Sequence, residues 1–63
     1  MIIIGVRPKA NSLKAIIAVR DHTGKSLAES KRLIEQALEG QTVLLPDDFV
    51  LREDLEYLGF KLK

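Results

Sequence analysis

The joint Thr23-Gly24-Lys25-Ser26 constrains the fold more than any other stretch, because a helix-length segment lies on each side of it. Gly24 can end the first helix in the left-handed conformation that only glycine adopts cheaply. Ser26 opens the pattern Ser-x-x-Glu with Glu29, a capping box. In that motif the Ser26 hydroxyl accepts from the Glu29 backbone N–H, and the Glu29 carboxylate reaches back to the Ser26 N–H. Leu27, Ser30, Leu33, Ile34, Ala37 and Leu38 then recur at helical spacing as one stripe, with Lys31 at its flank and Arg32 toward solvent. Gly40 ends this second helix.

The same joint contains Gly-Lys-Ser, the tail of a phosphate-binding loop. That motif reads G-x-x-x-x-G-K-[ST], after a strand and before a helix. Its first glycine would fall on Val19, and the element before the joint is a helix. Without a glycine-rich turn, few backbone N–H groups converge on a phosphate. Gly24 and Ser26 are therefore read as a helix stop and a helix start, and no nucleotide or other cofactor is expected.

The other segments follow from local pattern. Ile2 to Val6 is β-branched and precedes Pro8 and turn formers, so it reads as a strand. Its three consecutive isoleucines do not alternate, which predicts that both faces are covered. Asn11 or Ser12 caps the first helix. There Leu13, Ile16 and Ile17 cluster on one side, Ala15, Ala18 and Val19 cover another, and Lys14 and Asp21 take a narrow polar face. Arg20 falls inside apolar territory, and the apolar arc is wider than one core contact needs. Thr42 to Leu45 reads as a short strand stopped by Pro46. Asp47 and Asp48 suit a helix start, where carboxylates oppose the dipole. Phe49, Leu51, Leu55 and Leu58 are expected to face a core, and Gly59 ends this third helix. Phe60-Lys61-Leu62-Lys63 alternates like a half-buried strand. The order predicts one α+β domain over residues 1–63: a three-stranded antiparallel sheet with three helices on one face.

Composition bounds the function. A chain of 63 residues without cysteine has no disulfide or thiolate zinc site to hold it, so it needs one compact core or a partner. The net charge of +1 gives no global field for nucleic acid or a membrane. The charge is uneven: Met1 to Arg32 has seven Lys/Arg against two Asp/Glu, and Asp47 to Tyr57 has five Asp/Glu against one Arg. No apolar run approaches the ~20 residues that span a bilayer. The start, Met1-Ile2-Ile3-Ile4, lacks a basic leader and a cleavage site, so a cytoplasmic protein is expected.

Nothing in the chain points to catalysis. His22 is the single histidine and is expected to be exposed at a helix end. A metal site needs three or four ligands, and the adjacent Asp21 points elsewhere on a helix. Asp47, Asp48, Glu53, Asp54 and Glu56 are expected on a solvated surface, and no Ser-His-Asp arrangement is present. The sharper feature is Leu13, Ile16, Ile17 and Arg20, with Lys14 and Lys31 nearby. An apolar patch rimmed by long cations is a common protein-binding surface. On these residues alone, a buried core with solvated cations fits equally well.

Ala10 to Glu35 resembles the C-terminal domain of the bacterial ribosomal large-subunit stalk protein, seven/twelve. The likeness rests on Ala10-Asn11, Ala18-Val19-Arg20, Thr23-Gly24, and Leu27, Glu29, Ser30, Lys31, Leu33, Ile34 and Glu35. The resemblance implies a compact α/β unit of three strands and three helices without enzymatic activity. It also implies recruitment of translational GTPases, including elongation factors Tu and G, through the first two helices. By position, Leu13, Ile16, Arg20 and Lys31 match that face, with Lys14 close by. This favours an exposed patch.

The departures are specific. Ser12 and Ile17 stand where the family usually has lysine, and Asp21 and Ser26 where it has glycine. The likeness weakens after Glu35, and the family's dimerisation and anchoring region is not in this sequence, so a free-standing copy is expected. Three other readings remain. One is an adaptor of the ClpS type, which has the same general fold. Another is self-association through Ile17 as an isologous homodimer. The last is weak nucleic-acid binding through Arg7, Lys9, Lys14, Lys25 and Lys31. It is disfavoured because Phe49, Tyr57 and Phe60 are expected in the core rather than free to stack on bases.

Overall fold

A computed structural model describes residues 1–63. The elements are β1 (Ile2–Val6), α1 (Ser12–Thr23), α2 (Leu27–Leu38), β2 (Val43–Leu44), α3 (Phe49–Tyr57) and β3 (Phe60–Leu62). The class is α+β. The strands form one sheet in the order β2-β1-β3, and β1 is antiparallel to both neighbours.

The run of isoleucines resolves through a bulge. Ile2 pairs with Leu44 and Ile3 with Val43 on one side of β1. On the other, Ile3 pairs with Leu62, but Gly5 pairs with Lys61 and Val6 with Phe60, so the register skips Ile4. A bulge of this kind inserts one residue and re-aims those around it. Ile3 and Val6, three residues apart, therefore both face inward. Ile3, Val43 and Phe60 are at most 2% exposed. Ile4 and Leu44 are 52% and 75% exposed on the opposite face. This corrects the expectation that both faces are covered: the helices cover one.

α2 lies against β1 and β2, and α3 lies against β3, while α1 has α2 and α3 as its backbone neighbours and no strand. The fully buried residues of α1 are Ala15 and Val19, small enough to let it approach both helices closely. α2 buries Ser30, Leu33, Ile34 and Ala37, the centre of its predicted stripe. The Ser30 hydroxyl donates to the Ser26 carbonyl at 2.9 Å, so its burial leaves no unmet polar group. Leu27 and Leu38 lie at the edge of the stripe beside Lys31 and are about half exposed.

Two of the aromatic residues expected in the core are outside it. Phe49 is 72% and Tyr57 89% exposed; Phe60 is buried. α3 has nine residues and fully buries Leu51 and Leu55, one turn apart. At about 100° per residue, Phe49 and Tyr57 each fall about 140° from the middle of that pair, on either side of the outward face. The helix is too narrow to bury all three sides against one sheet edge.

Side chains cap each helix. Asn11 accepts from Lys14 N–H at 3.0 Å, Ser26 from Glu29 N–H at 3.1 Å, and Asp48 from Leu51 N–H at 2.9 Å. The return arm of the capping box is not made. The Glu29 carboxylate instead accepts from Arg32, Nε at 3.1 Å and a terminal nitrogen at 2.6 Å. That contact lowers the Glu29 pKa and raises that of Arg32. The two residues are one turn apart, so each charge finds a partner without leaving the helix surface.

The Met1 amine donates to the Leu45 carbonyl at 2.8 Å and to Asp47 Oδ1 at 2.6 Å. The hydrogen bond from the amine, and then its charge, hold the Asp47 carboxyl below its ordinary pKa. A depressed carboxylate pKa stabilises the fold above the unfolded value, and that contribution is lost as pH falls through the folded value. Acid denaturation of Asp47→Asn should therefore begin from a lower stability at neutral pH and show a shallower acid limb than wild type. Chemical denaturation followed across the acid range checks this.

Gly59 is the glycine least able to change. Its φ is 105°, and a Cβ there would stand 2.9 Å from the Ala10 Cα. Gly24 has a φ of 73° with open space around it. Gly24→Ala should cost about 1–2 kcal/mol, the ordinary cost of left-handed backbone in a residue with a Cβ. Gly59→Ala should cost distinctly more, because the strand junction must also move. Thermal denaturation of the two variants side by side measures the difference.

Candidate protein-binding face

The predicted cluster divides into three parts. Leu13 is 68% exposed, and the Arg20 side chain is 43% exposed; both stand on the outer crest of α1. Ile17, 38% exposed, and Lys14 line a groove between α1 and α3. Ile16 is partly buried and packs against the core, so it is a support for the face rather than part of its exposed crest. It lies between the outward Leu13 and the inward Val19 on the helix wheel, which explains its half-burial. Lys31 is exposed on α2 and makes no salt bridge. The wide apolar arc of α1 thus serves two purposes, a narrow inward strip of small residues and an outward strip of large ones.

The groove has a volume of about 320 Å³. α1 contributes Lys14, Ile17, Ala18, Asp21 and His22; Asp54, Tyr57 and Leu58 come from α3 and its end. The helices run in opposite directions along it. Asn11 N–H, at the start of α1, donates to the Leu58 carbonyl at the end of α3, at 2.9 Å. At the other end, His22 Nε2 lies 3.4 Å from Asp54 Oδ2, and Nδ1 lies 3.9 Å from Asp48 Oδ2. One end of the groove is therefore cationic at Lys14, and the other holds two carboxylates, Asp21 and Asp54.

His22 closes the last turn of α1 as expected, but its ring faces α3. Sequence reasoning missed this link because its partners lie 26 and 32 positions along the chain. The only hint was the split between a basic first half and an acidic third helix. Of the carboxylates expected on a solvated surface, Asp47 lies there at 91% exposure, while Asp48 and Asp54 turn partly toward His22. No three His, Asp or Glu side chains gather as a metal site. Arg20 reaches Asp21, its chain neighbour, with Nε 3.1 Å from Oδ1. An ion pair this exposed is worth little and is easily exchanged for another partner. No helix is long and apolar enough to cross a membrane.

The division can be tested by stability alone. Leu13→Ser should change stability by about 0.5 kcal/mol or less, as exposed substitutions do. Ile16→Ala should cost more than about 1 kcal/mol, because it leaves a gap beside the core. Urea denaturation of both variants distinguishes crest from support.

No protein-family model, curated protein or solved structure matches this chain.

Proposed function

We propose that the protein is a non-enzymatic protein-binding module of the cytoplasm that engages a translational GTPase, elongation factor G or Tu, through α1 and the neighbouring part of α2. The observation that carries this reading is the exposed crest of α1. Leu13 is 68% exposed beside Arg20 on a helix whose fully buried residues are only Ala15 and Val19. Leaving a large apolar side chain in water has a cost that binding a partner recovers. The likeness of Ala10–Glu35 to the stalk C-terminal domain, with Leu13, Ile16, Arg20 and Lys31 at matching positions, supports the same face.

In this reading each residue has a distinct role. Leu13 and Ile17 bury apolar area against the partner, and Ile16 holds α1 in place behind them. Arg20, Lys14 and Lys31 pair with carboxylates on the partner. Cations at the rim speed encounter and select the partner more than they add affinity. Arg20 gives up only an exposed contact with Asp21 to do so.

Titration of isotope-labelled protein with elongation factor G bound to a GTP analogue tests the proposal. Amide shifts or line broadening should concentrate between Leu13 and Lys31. Arg20→Glu should abolish detectable binding and leave the spectrum of the free protein folded. Unchanged spectra at high factor concentration, or an Arg20→Glu variant that binds like wild type, would sink the assignment.

A further inference from the structure

We propose that a second copy of this chain occupies the groove between α1 and α3, forming an isologous dimer about a two-fold axis that passes between Ile17 and Ala18. This inference does not rest on the GTPase reading. Along the groove α1 presents Lys14, Ile17, Ala18 and Asp21. These are spaced i, i+3, i+4 and i+7, which places all four on one face of the helix. Two apolar residues lie in the middle, a cation at one end and an anion at the other. Lys14 and Asp21 are about 10 Å apart along the axis, at 1.5 Å per residue. A two-fold axis between Ile17 and Ala18 reverses the strip onto itself. It sets Lys14 of each copy opposite Asp21 of the other and brings the four central side chains together. A self-complementary patch of this kind is what an isologous interface requires.

Three observations favour this occupant. Lys14 makes no salt bridge within its own chain, so its charge is free to pair outside it. Both Arg20 contacts with Asp21 fall on Oδ1, which leaves Oδ2 for another cation. Asp54 stands at the same end of the groove as Asp21 and adds a second carboxylate to the place where the partner copy's lysine arrives.

The charges of α1 also point outward. Lys14 is the third residue of the helix and Asp21 the third from its end. The helix dipole favours the reverse, anions at the start and cations at the end. The helix itself therefore gains nothing from either charge, whereas the dimer uses both. Tyr57, 89% exposed at the Lys14 end, adds apolar area on each side. An interface built on one helix pair falls below ~1,200 Å² in total, the range of weak and concentration-dependent contacts. Such a dimer covers Lys14 and Ile17, so it competes with any partner that uses them.

Charge reversal tests the geometry, because each substitution acts twice in a two-fold dimer. Sedimentation equilibrium of the 63-residue protein, with no partner present, should give a dissociation constant between about 10 µM and 1 mM. Lys14→Asp and Asp21→Lys should each raise it at least ~10-fold, since two attractive pairs become two repulsive ones. The double variant should bind at least ~3-fold tighter than either single variant, since it restores both pairs in reverse, and stay weaker than wild type because Asp54 still faces residue 14 of the other copy. Each change suits the helix dipole, so weaker association cannot be blamed on a weaker helix, and circular dichroism verifies the fold. A chain that stays monomeric at about 1 mM overturns the proposal. So does a dimer indifferent to the single variants, which would place the contact elsewhere, or a double variant that is not rescued.

Discussion

Everything in this fold hangs on the central strand. β1 is the only strand with a neighbour on both sides, and its Ile3 is fully buried between Val43 and Leu62. The bulge at Ile4 lets Ile3 and Val6 point into the same core although they are three residues apart. The two chain ends close around this strand. Ile2 exchanges backbone hydrogen bonds with Lys63, and Leu45 N–H donates to the Met1 carbonyl at 2.9 Å. With twelve residues in the core cluster, the domain has little apolar area to spare, so losing the strand would remove part of the surface under α2 and the only neighbour of β3, against which α3 rests.

That scarcity explains the surface of α1. A helix whose backbone neighbours are two other helices needs only a narrow strip of small residues, Ala15 and Val19, to reach the shared core. The larger Leu13 and Ile17 are left outside as a consequence of how the layers stack. Two surfaces result from one helix, an outer crest with Arg20 and a groove shared with α3. The crest suits an acidic partner, and the groove has charges of both signs arranged so that its own copy fits. Because Ile17 and Lys14 border both, the proposed self-association and the proposed partner binding draw on the same side chains.

Local signals were legible where their causes are local. Gly24 and Ser26 mark the α1–α2 joint because left-handed backbone and an N-cap each involve only a few neighbouring residues. The strand–helix order and the buried middle of α2 follow from period alone. The capping box was half right: Ser26 caps, but Glu29 found a charged partner in Arg32. The outward turn of Phe49 and Tyr57 was missed because hydrophobic character does not say which side of a short helix meets the core. Leu13, Ile16, Ile17 and Arg20 group together on the sequence alone, yet only the packing of α1 separates the half-buried Ile16 from the exposed Leu13.

The sequence by itself determined the number, type and order of the elements and the caps of the helices, since caps, glycines and periodicity act over one or two helical turns. Tertiary structure alone decided which sides of β1, α1 and α3 face inward. It set the bulge at Ile4, left the second face of the sheet open at Leu44, and brought His22 of α1 to Asp48 and Asp54 of α3. Those outcomes depend on contacts between residues far apart in the chain. The free energy that selects among them comes from shared burial, which no single segment possesses.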